Sequence, residues 1–250
     1  MTGTLYLIPN TLGLNDDASA DPLAAVIPEH VRAITAALPY FIAENAKTTR
    51  AHLKLVGLTH PLARPLQDIR IKELNVNTEA RELPELLAPL AAGEDAGLIS
   101  EAGVPAVADP GANLVRLAHA SGIRVKPLVG PSSLLLAVMS SGLNGQSFAF
   151  NGYLPTDAGQ RAKRLKTLED RSRSERQTQL FIETPYRNGA LLDAIASICH
   201  ASTLVCVATD LSLSSETIRT QTAGKWKSEI AAGRTPDFHK KPTVFLLLAE

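Results

Sequence analysis

Residues 100–111, S-E-A-G-V-P-A-V-A-D-P-G, place two glycines, three alanines and two prolines within twelve positions. Small side chains let the backbone come close to a ligand, while prolines and a following helix start hold the loop in shape. The plainer reading is a strand-to-helix connection in which Asp109 is only a helix cap. Residues 130–133, G-P-S-S, set two hydroxyls and free backbone N–H groups at a helix start. The partial positive charge there favours a carboxylate or phosphate, and a simple cap by Ser132 is the alternative. A third loop, 9–13 (P-N-T-L-G), follows the first apolar run.

Other site chemistries have no support. No G-x-x-x-x-G-K-[ST] or helix-opening G-x-G-x-x-G is present, which removes the usual phosphate and dinucleotide cradles. Nor is there an H-E-x-x-H, a paired C-x-x-C or a G-x-S-x-G. Cys199 and Cys206 are the only cysteines; they supply neither a disulfide framework nor a zinc site, so we expect buried free thiols and no metal.

The elements that must position these loops alternate along the chain. A strand at 5–9, a helix at 27–38, a strand at 40–43, a helix near 47–56, an amphipathic helix near 79–92 and a strand at 96–99 follow from apolar spacing. Asp109, Pro110 and Gly122 punctuate the next helix as N-cap, first-turn proline and C-terminal glycine. A strand at 123–129 then turns through G-P-S-S into a helix ending near Gly142. Such alternation predicts a mostly parallel sheet covered on both faces, with ligands bound beyond the carboxyl ends of its strands.

Asn144-Gly145-Gln146 breaks the pattern, and we place a domain boundary there, giving domains 1–145 and 146–250. The second contains a strand from Phe148, a charged helix near 159–173, strands at 179–183 and 204–208, a helix at 188–199 and a last strand at 243–249. No internal repeat relates the halves, so the fold class is α/β with two dissimilar α/β domains.

At 250 residues the chain is long enough for two such cores, and its 25 basic and 25 acidic residues cancel. A general basic field is therefore absent, and any polyanion site must be local. The best local footprint is 161–176, with seven basic against three acidic residues; a solvated charged helix is the alternative. The first Lys or Arg is Arg32, and no apolar run has the length of a membrane span. These features predict a cytoplasmic protein with no membrane partner.

The loops, in this order, resemble the tetrapyrrole methylase superfamily, in particular its branch of ribosomal RNA small-subunit methyltransferases that modify a ribose 2′-hydroxyl. L-Y-L-I-P-N-T-L-G is similar to that family's L-Y-[IV]-V-P-T-P-I-G, and A-E-N-A-K-T-T at 43–49 to A-E-D-T-R-x-T. Residues 100–111 resemble S-D-A-G-T-P-x-I-S-D-P-G, and V-G-P-S-S resembles P-G-P-S-A. In the second half N-G-Y-L-P (151–155) matches E-G-F-L-P, and E-T-P-Y-R (183–187) matches E-[SA]-P-H-R.

This resemblance implies a fold of the tetrapyrrole methylase type with S-adenosylmethionine in an interdomain cleft, touched by Pro9, Ser100, Gly103, Ser132, Ser133, Pro242 and Thr243. It also implies an RNA or ribosomal-subunit substrate and a homodimer. Departures fall elsewhere. The family's H-D-H-N-E is Asn75-Val76-Asn77-Thr78-Glu79 here, its R-E-L-T-K is Thr209-Asp210-Leu211-Ser212-Leu213, and its G-E is Lys241-Pro242.

Methyl transfer from a sulfonium is an in-line displacement governed by positioning. A 2′-hydroxyl acceptor gains from a carboxylate that orients it or takes its proton, and Glu101, Glu79 and Glu44 are candidates, Glu101 first. Lys47 and, more so, Arg187 are candidates to neutralise phosphate. Each also reads as an ordinary solvated group. Two further functions stay open: a methylase of a small molecule such as a tetrapyrrole, supported by the neutral charge, and a non-catalytic S-adenosylmethionine-binding protein, supported by the substituted polar positions.

Overall fold

In the computed structural model, which describes residues 2–15 and 21–249, the first apolar run becomes β1 (Thr4–Ile8). There follow α1 (Glu29–Ala37), β2 (Tyr40–Ala43), α2 (Ala46–Val56), β3 (Arg70–Glu73), α3 (Leu83–Ala91), β4 (Ala96–Ile99), α4 (Gly111–Ala120) and β5 (Arg124–Pro127). All five strands run parallel in the order β3-β2-β4-β1-β5.

Both faces of this sheet are apolar because alternate residues point to opposite sides. Leu5, Ile42 and Leu98 pack with Leu86 and Leu90 of α3 and Leu114 and Ala118 of α4. Ile8, Phe41 and Ile99 pack on the other side with Val31 of α1 and Leu53 and Val56 of α2. The helix after β1 therefore lies on one face and the helix after β4 on the other, although β1 and β4 are hydrogen-bonded neighbours. Neighbouring strands whose chains depart to opposite faces leave a crevice between them, the usual ligand position of open α/β sheets.

The second unit continues with α5 (Ser133–Ser141), β6 (Phe148–Tyr153), α6 (Ala158–Glu175), β7 (Thr178–Ile182), α7 (Asn188–Ile198), β8 (Leu204–Thr209), β9 (Thr217–Thr222), α8 (Ala223–Ala231) and β10 (Thr243–Leu248). Its sheet has the order β6-β7-β10-β8-β9 and is mixed, with β10 antiparallel to both neighbours. One face is covered by α6, α7 and α8 over Phe181, Val205, Val207 and Phe245; the Phe181 and Phe245 rings stack at 6.2 Å.

Contacts divide the chain into Met1–Ser132 and Ser133–Glu250, whereas the sequence pattern suggested a boundary at 145/146. The difference is α5. It packs on β8, β9 and β10, and its Ser141 carbonyl accepts the Thr220 hydroxyl at 2.7 Å. The break at Asn144-Gly145-Gln146 thus falls inside the second unit.

Both cysteines are free and buried; burial pushes the Cys199 thiol up to about 12 and raises Cys206 as well. Among the described residues no helix is long and apolar enough to cross a membrane.

The loop after β5 abuts the loop after β1. A Cβ built on Gly130 would sit 2.2 Å from Cβ and 2.4 Å from Cγ of Pro9, a rigid ring that cannot swing aside. Gly130→Ala is therefore expected to lose about 1–3 kcal/mol through overpacking, seen as a lower midpoint in urea unfolding. An unchanged midpoint would show that the two loops do not press together.

Candidate functional site

The crevice between β1 and β4 is closed at its mouth by their own loops. The Asn10 N–H donates to the Gly103 carbonyl at 2.8 Å, and the Gly103 N–H reaches the Thr11 carbonyl at 3.4 Å, an isolated antiparallel bridge. Asn10 is buried, and its side-chain amide donates to the carbonyls of Ser100 at 3.2 Å and Glu101 at 3.0 Å. Its Oδ1 accepts the Thr11 N–H at 2.9 Å. Gly103 holds φ +69°, the left-handed region that favours glycine.

Residues 100–111 carry strain beyond that glycine. Ala106 and Ala108 have φ of 66° and 63°, conformations that cost a residue with a Cβ about 1–2 kcal/mol each. Asp109 holds the loop in this shape: both carboxylate oxygens accept the Ala106 N–H, at 2.8 and 2.9 Å, and Oδ1 also takes the Gly111 N–H at 2.8 Å. The expected N-cap is corrected accordingly. α4 begins at Gly111 with Pro110 in the formal cap position, and Asp109 serves as a brace across the loop as well as an acceptor for the first turn. Burial raises its carboxyl above the ordinary value, against the lowering effect of those N–H donors.

Of the expected contact residues, Pro9, Ser100 and Gly103 lie on these stitched loops, with the Ser100 hydroxyl donating to the Ala102 carbonyl at 3.2 Å. Ser132 ends the first unit and Ser133 opens α5. In the second unit, Thr243 starts β10 opposite Thr209. The buried Asn188 amide donates to its hydroxyl at 3.1 Å and to the carbonyls of Phe238 and Lys241, each at 2.9 Å. That clamp fixes the turn through Pro242, whose carbonyl accepts the Asp210 N–H at 3.0 Å.

The charged candidates occupy different local settings. Glu101 is exposed on the β4 loop, and its N–H donates to Glu44 Oε2 at 3.0 Å, so these two acids do share the crevice mouth. Glu79 instead forms a reciprocal capping box with Glu82 and pairs with Arg81 at 2.7 Å. Its neighbours Thr78 and Ala80 line a different cavity, of about 400 Å³. Arg187, in the second unit, is ion-paired to the buried Glu183 and also donates to Thr184 Oγ1 at 3.2 Å. In the basic run, Glu169 turns inward and accepts from the Thr203 hydroxyl and the His200 N–H. Asp170 and Glu175 pair with Arg173 and Arg171.

A cavity of about 210 Å³ adjoins the crevice, lined by residues 10–14, Thr48, Ala51, His52, Leu55, Glu101 and Ala102. His52 is 3% exposed, and neither ring nitrogen has a hydrogen-bond partner among the described residues. Burial pushes its imidazole down to about 4, so the ring is neutral at pH 7. Sequence reasoning named neither Asn10 nor His52. Asn10 sits in a noted loop but looks like any turn asparagine, and His52 lies on the buried face of an amphipathic helix.

Two stability effects follow. Asn10→Ala strips the buried Ser100 carbonyl and the part-buried Glu101 carbonyl of this donor and is expected to cost about 1–3 kcal/mol, measured by denaturant unfolding; a wild-type midpoint would mean the bridge alone holds the loops. His52 binds its proton more weakly folded than unfolded, so its contribution is fully present above about pH 6.5 and is lost as pH falls toward about 4. Over that window the loss reaches about 3 kcal/mol, and His52→Leu should flatten that part of the stability profile.

No protein-family model matches the chain. Among solved structures the fold is similar to the methyltransferase CobJ, with a TM-score of 0.58 and 16% identity over 99% of this chain and 94% of that one. A uroporphyrin-III-C-methyltransferase from Thermus thermophilus gives a TM-score of 0.53 at 14% identity, covering 99% and 93%. These likenesses establish the two-domain tetrapyrrole methylase fold. Sequence relatives are more specific. The ribosomal RNA small subunit methyltransferase I of Xylella fastidiosa (strain Temecula1) is 32% identical over 92% of this chain and 76% of its own length. That of Pseudomonas aeruginosa is 32% identical over 87% and 69%, and that of Escherichia coli O157:H7 is 29% identical over 99% and 78%. With that identity spread across both units, the chain belongs to the ribosomal RNA small subunit methyltransferase I family and is a methyltransferase.

Proposed function

We propose that the protein transfers a methyl group from S-adenosylmethionine to a ribose 2′-hydroxyl of ribosomal RNA. The observation that carries this reading is the likeness to relatives of that name, one of which matches 99% of the chain and so takes in the stitched loops at the β1–β4 crevice. The likeness to tetrapyrrole enzymes is one of fold and favours no small-molecule acceptor.

The donor's residues fit the chain. Its amino-acid carboxylate needs N–H donors and its nucleoside needs backbone at close range; the glycine at 103, the Pro9–Gly130 contact and the serine-rich start of α5 supply both kinds of group. Pro9, Ser100, Gly103, Ser132 and Ser133, with Pro242 and Thr243 of the second unit, are the residues assigned to hold it. Once bound, S-adenosylmethionine supplies an activated methyl on a sulfonium.

Glu101 orients the acceptor hydroxyl and takes its proton as the oxygen forms its bond to carbon. Glu44, through the Glu101 N–H, fixes the backbone from which that carboxylate projects. Glu79 and Arg187 act less directly. Glu79 holds the start of the α3 region in its capping box, and Arg187, half exposed beside Glu183, offers its remaining N–H donors to phosphate. Lys163 and Lys166, on the α6 surface, extend the RNA footprint. The working form in this reading is a cytoplasmic homodimer, and the acceptor is presented by RNA or a ribosomal subunit.

The test is incubation with labelled S-adenosylmethionine and RNA or small subunits from cells lacking the protein, with the modified nucleotide mapped. We expect label in RNA, a KM that rises steeply with salt, and a fall in kcat of about a hundredfold for Glu101→Gln. Label appearing only in a small molecule, with no salt dependence, would replace RNA as the acceptor.

A further inference from the structure

The larger cavity of the first unit, about 400 Å³, lies between α4 and the turn that leads from β3 to α3. Pro110, Asn113, Leu117 and Ala120 form one stripe along α4. At 1.5 Å per residue this wall is roughly 15 Å long, so the cavity is a groove rather than a hole. Asn75, Thr78, Leu83 and Pro84 come from the turn and the start of α3. The stripe begins at Pro110, next in the chain to the Asp109 carboxylate that braces loop 100–111. The groove thus starts where the ligand loop ends.

The polar side chains of the lining have donors to spare. Asn75 Oδ1 accepts the Asn77 N–H at 2.9 Å, Thr78 Oγ1 accepts the Asn75 N–H at 3.0 Å, and Asn113 Oδ1 accepts from Arg116 Nη2 at 3.0 Å. With these acceptors engaged inside the protein, what is left over is the NH₂ groups of both asparagines, the threonine hydroxyl hydrogen and most of the guanidinium N–H groups. Arg116 is the only charged residue of the lining, is exposed, and has no ion pair among the described residues. Such a set calls for an anion rich in acceptor oxygens, and the fork of a guanidinium matches phosphate. A bare phosphate ion would leave most of the space empty and the leucine and proline side chains without a partner. The volume instead lies in the range of pockets that enclose a small organic molecule. A nucleotide combines one phosphate with a sugar and a base of large apolar face.

We propose that this groove is a docking subsite for one nucleotide of the RNA substrate near the modified one, with its phosphate on Arg116, Asn113 and Asn75 and its sugar and base against Leu83, Pro84 and Leu117. This rests on the RNA reading above. A strand whose reacting ribose sits at the crevice mouth passes along loop 100–111 into the groove. The contact carries position more than sequence: it fixes the path of the strand and so the presentation of the reacting hydroxyl. One unpaired arginine in a lining free of acids also suits a chain whose charges cancel overall and whose polyanion contacts must be local. Asn75 and Thr78 stand where this chain departs from its family's pattern, so the subsite belongs to its own residues.

The test uses the full chain with 15N-labelled arginine and S-adenosylmethionine present, the Arg116 Nε signal being assigned from the Arg116→Lys spectrum. Uridine 5′-monophosphate should shift that signal, and uridine or inorganic phosphate should shift it far less. No response to the nucleotide, or an equal one to inorganic phosphate, overturns the proposal. A short oligoribonucleotide should displace the nucleotide; failure to do so makes the groove a site for free nucleotides and overturns it as well. In parallel, Arg116→Gln should raise the KM for RNA about tenfold, lower the slope of log KM against log salt by about 0.7, and leave kcat and the Kd for S-adenosylmethionine within about twofold. Arg116→Lys, which keeps the charge, should restore the salt slope. Ala80→Trp, which narrows the groove without removing a polar group, should also raise KM. A wild-type KM in both Arg116→Gln and Ala80→Trp would leave the groove as solvated surface. Should RNA take no label while the nucleotide still shifts Arg116, the acceptor assignment falls and the nucleotide subsite stands; label in RNA with a wild-type KM and salt slope in Arg116→Gln has the opposite meaning.

Discussion

Two loops that leave neighbouring strands for opposite faces of a sheet have nothing in the sheet itself to hold them together, and the backbone bridge between Asn10 and Gly103 supplies that restraint. It needs a residue at 103 with φ +69° and a side chain at 10 able to reach two carbonyls on the facing loop. With the bridge in place, the crevice has a fixed mouth. Ala106 and Ala108 can then be kept left-handed, because the Asp109 carboxylate and the helix behind it leave the loop few other conformations. Strain held in this way is a common property of ligand loops, and it stiffens a site whose chemistry depends on position more than on any reactive side chain.

The second unit solves a related problem by a different means. β10 must deliver Thr243 at its very start, where strand hydrogen bonds are only beginning, and the turn before it has a lysine with φ 62°. Asn188 gathers this turn by donating to two of its carbonyls and to the Thr243 hydroxyl. Being fully buried at the start of α7, it ties that turn to a helix that is itself packed on the sheet. In both units, then, an asparagine amide converts a loose loop into a defined one. Its two N–H donors reach carbonyls that strand pairing leaves over, and buried carbonyls without partners are costly.

Much of this was legible in the sequence because the elements that build the core announce themselves through apolar spacing, and the loops through glycine and proline. β1, β2, β4, β8 and β10 all arise from the apolar runs. β3 and β9 went unread since R-I-K-E and T-I-R-T-Q-T are edge strands with mostly polar, partly exposed side chains, and the pairing that makes them strands lies in their neighbours. α8 escaped for the same reason: only Ala223 and Trp226 are buried in it. The site was half legible. The loops stood out by their small residues and the resemblance named the contact residues within them, but Asn10 and His52 acquire meaning only when chain segments far apart in sequence meet.

Two of the departures from the family pattern lie apart in sequence and meet in space. Asp210, with φ 52°, accepts the Ser215 hydroxyl at 2.8 Å, lies 3.6 Å from the Lys241 ammonium, and donates its N–H to the Pro242 carbonyl. The substitutions at 209–213 and at 241–242 are thus one interlocked structure, and altering one segment alone would strand a carboxylate that is 6% exposed. Residues 75–79 are constrained differently. Thr78 Oγ1 accepts the Asn75 N–H, Asn75 Oδ1 accepts the Asn77 N–H, and Glu79 completes its box with Glu82. These polar atoms bond within their own turn and the helix start, leaving Val76 88% exposed at the tip. A change of acceptor can therefore be accommodated at 75–79 without disturbing the sheet, whereas at 209–213 it must be matched across the gap to 241–242.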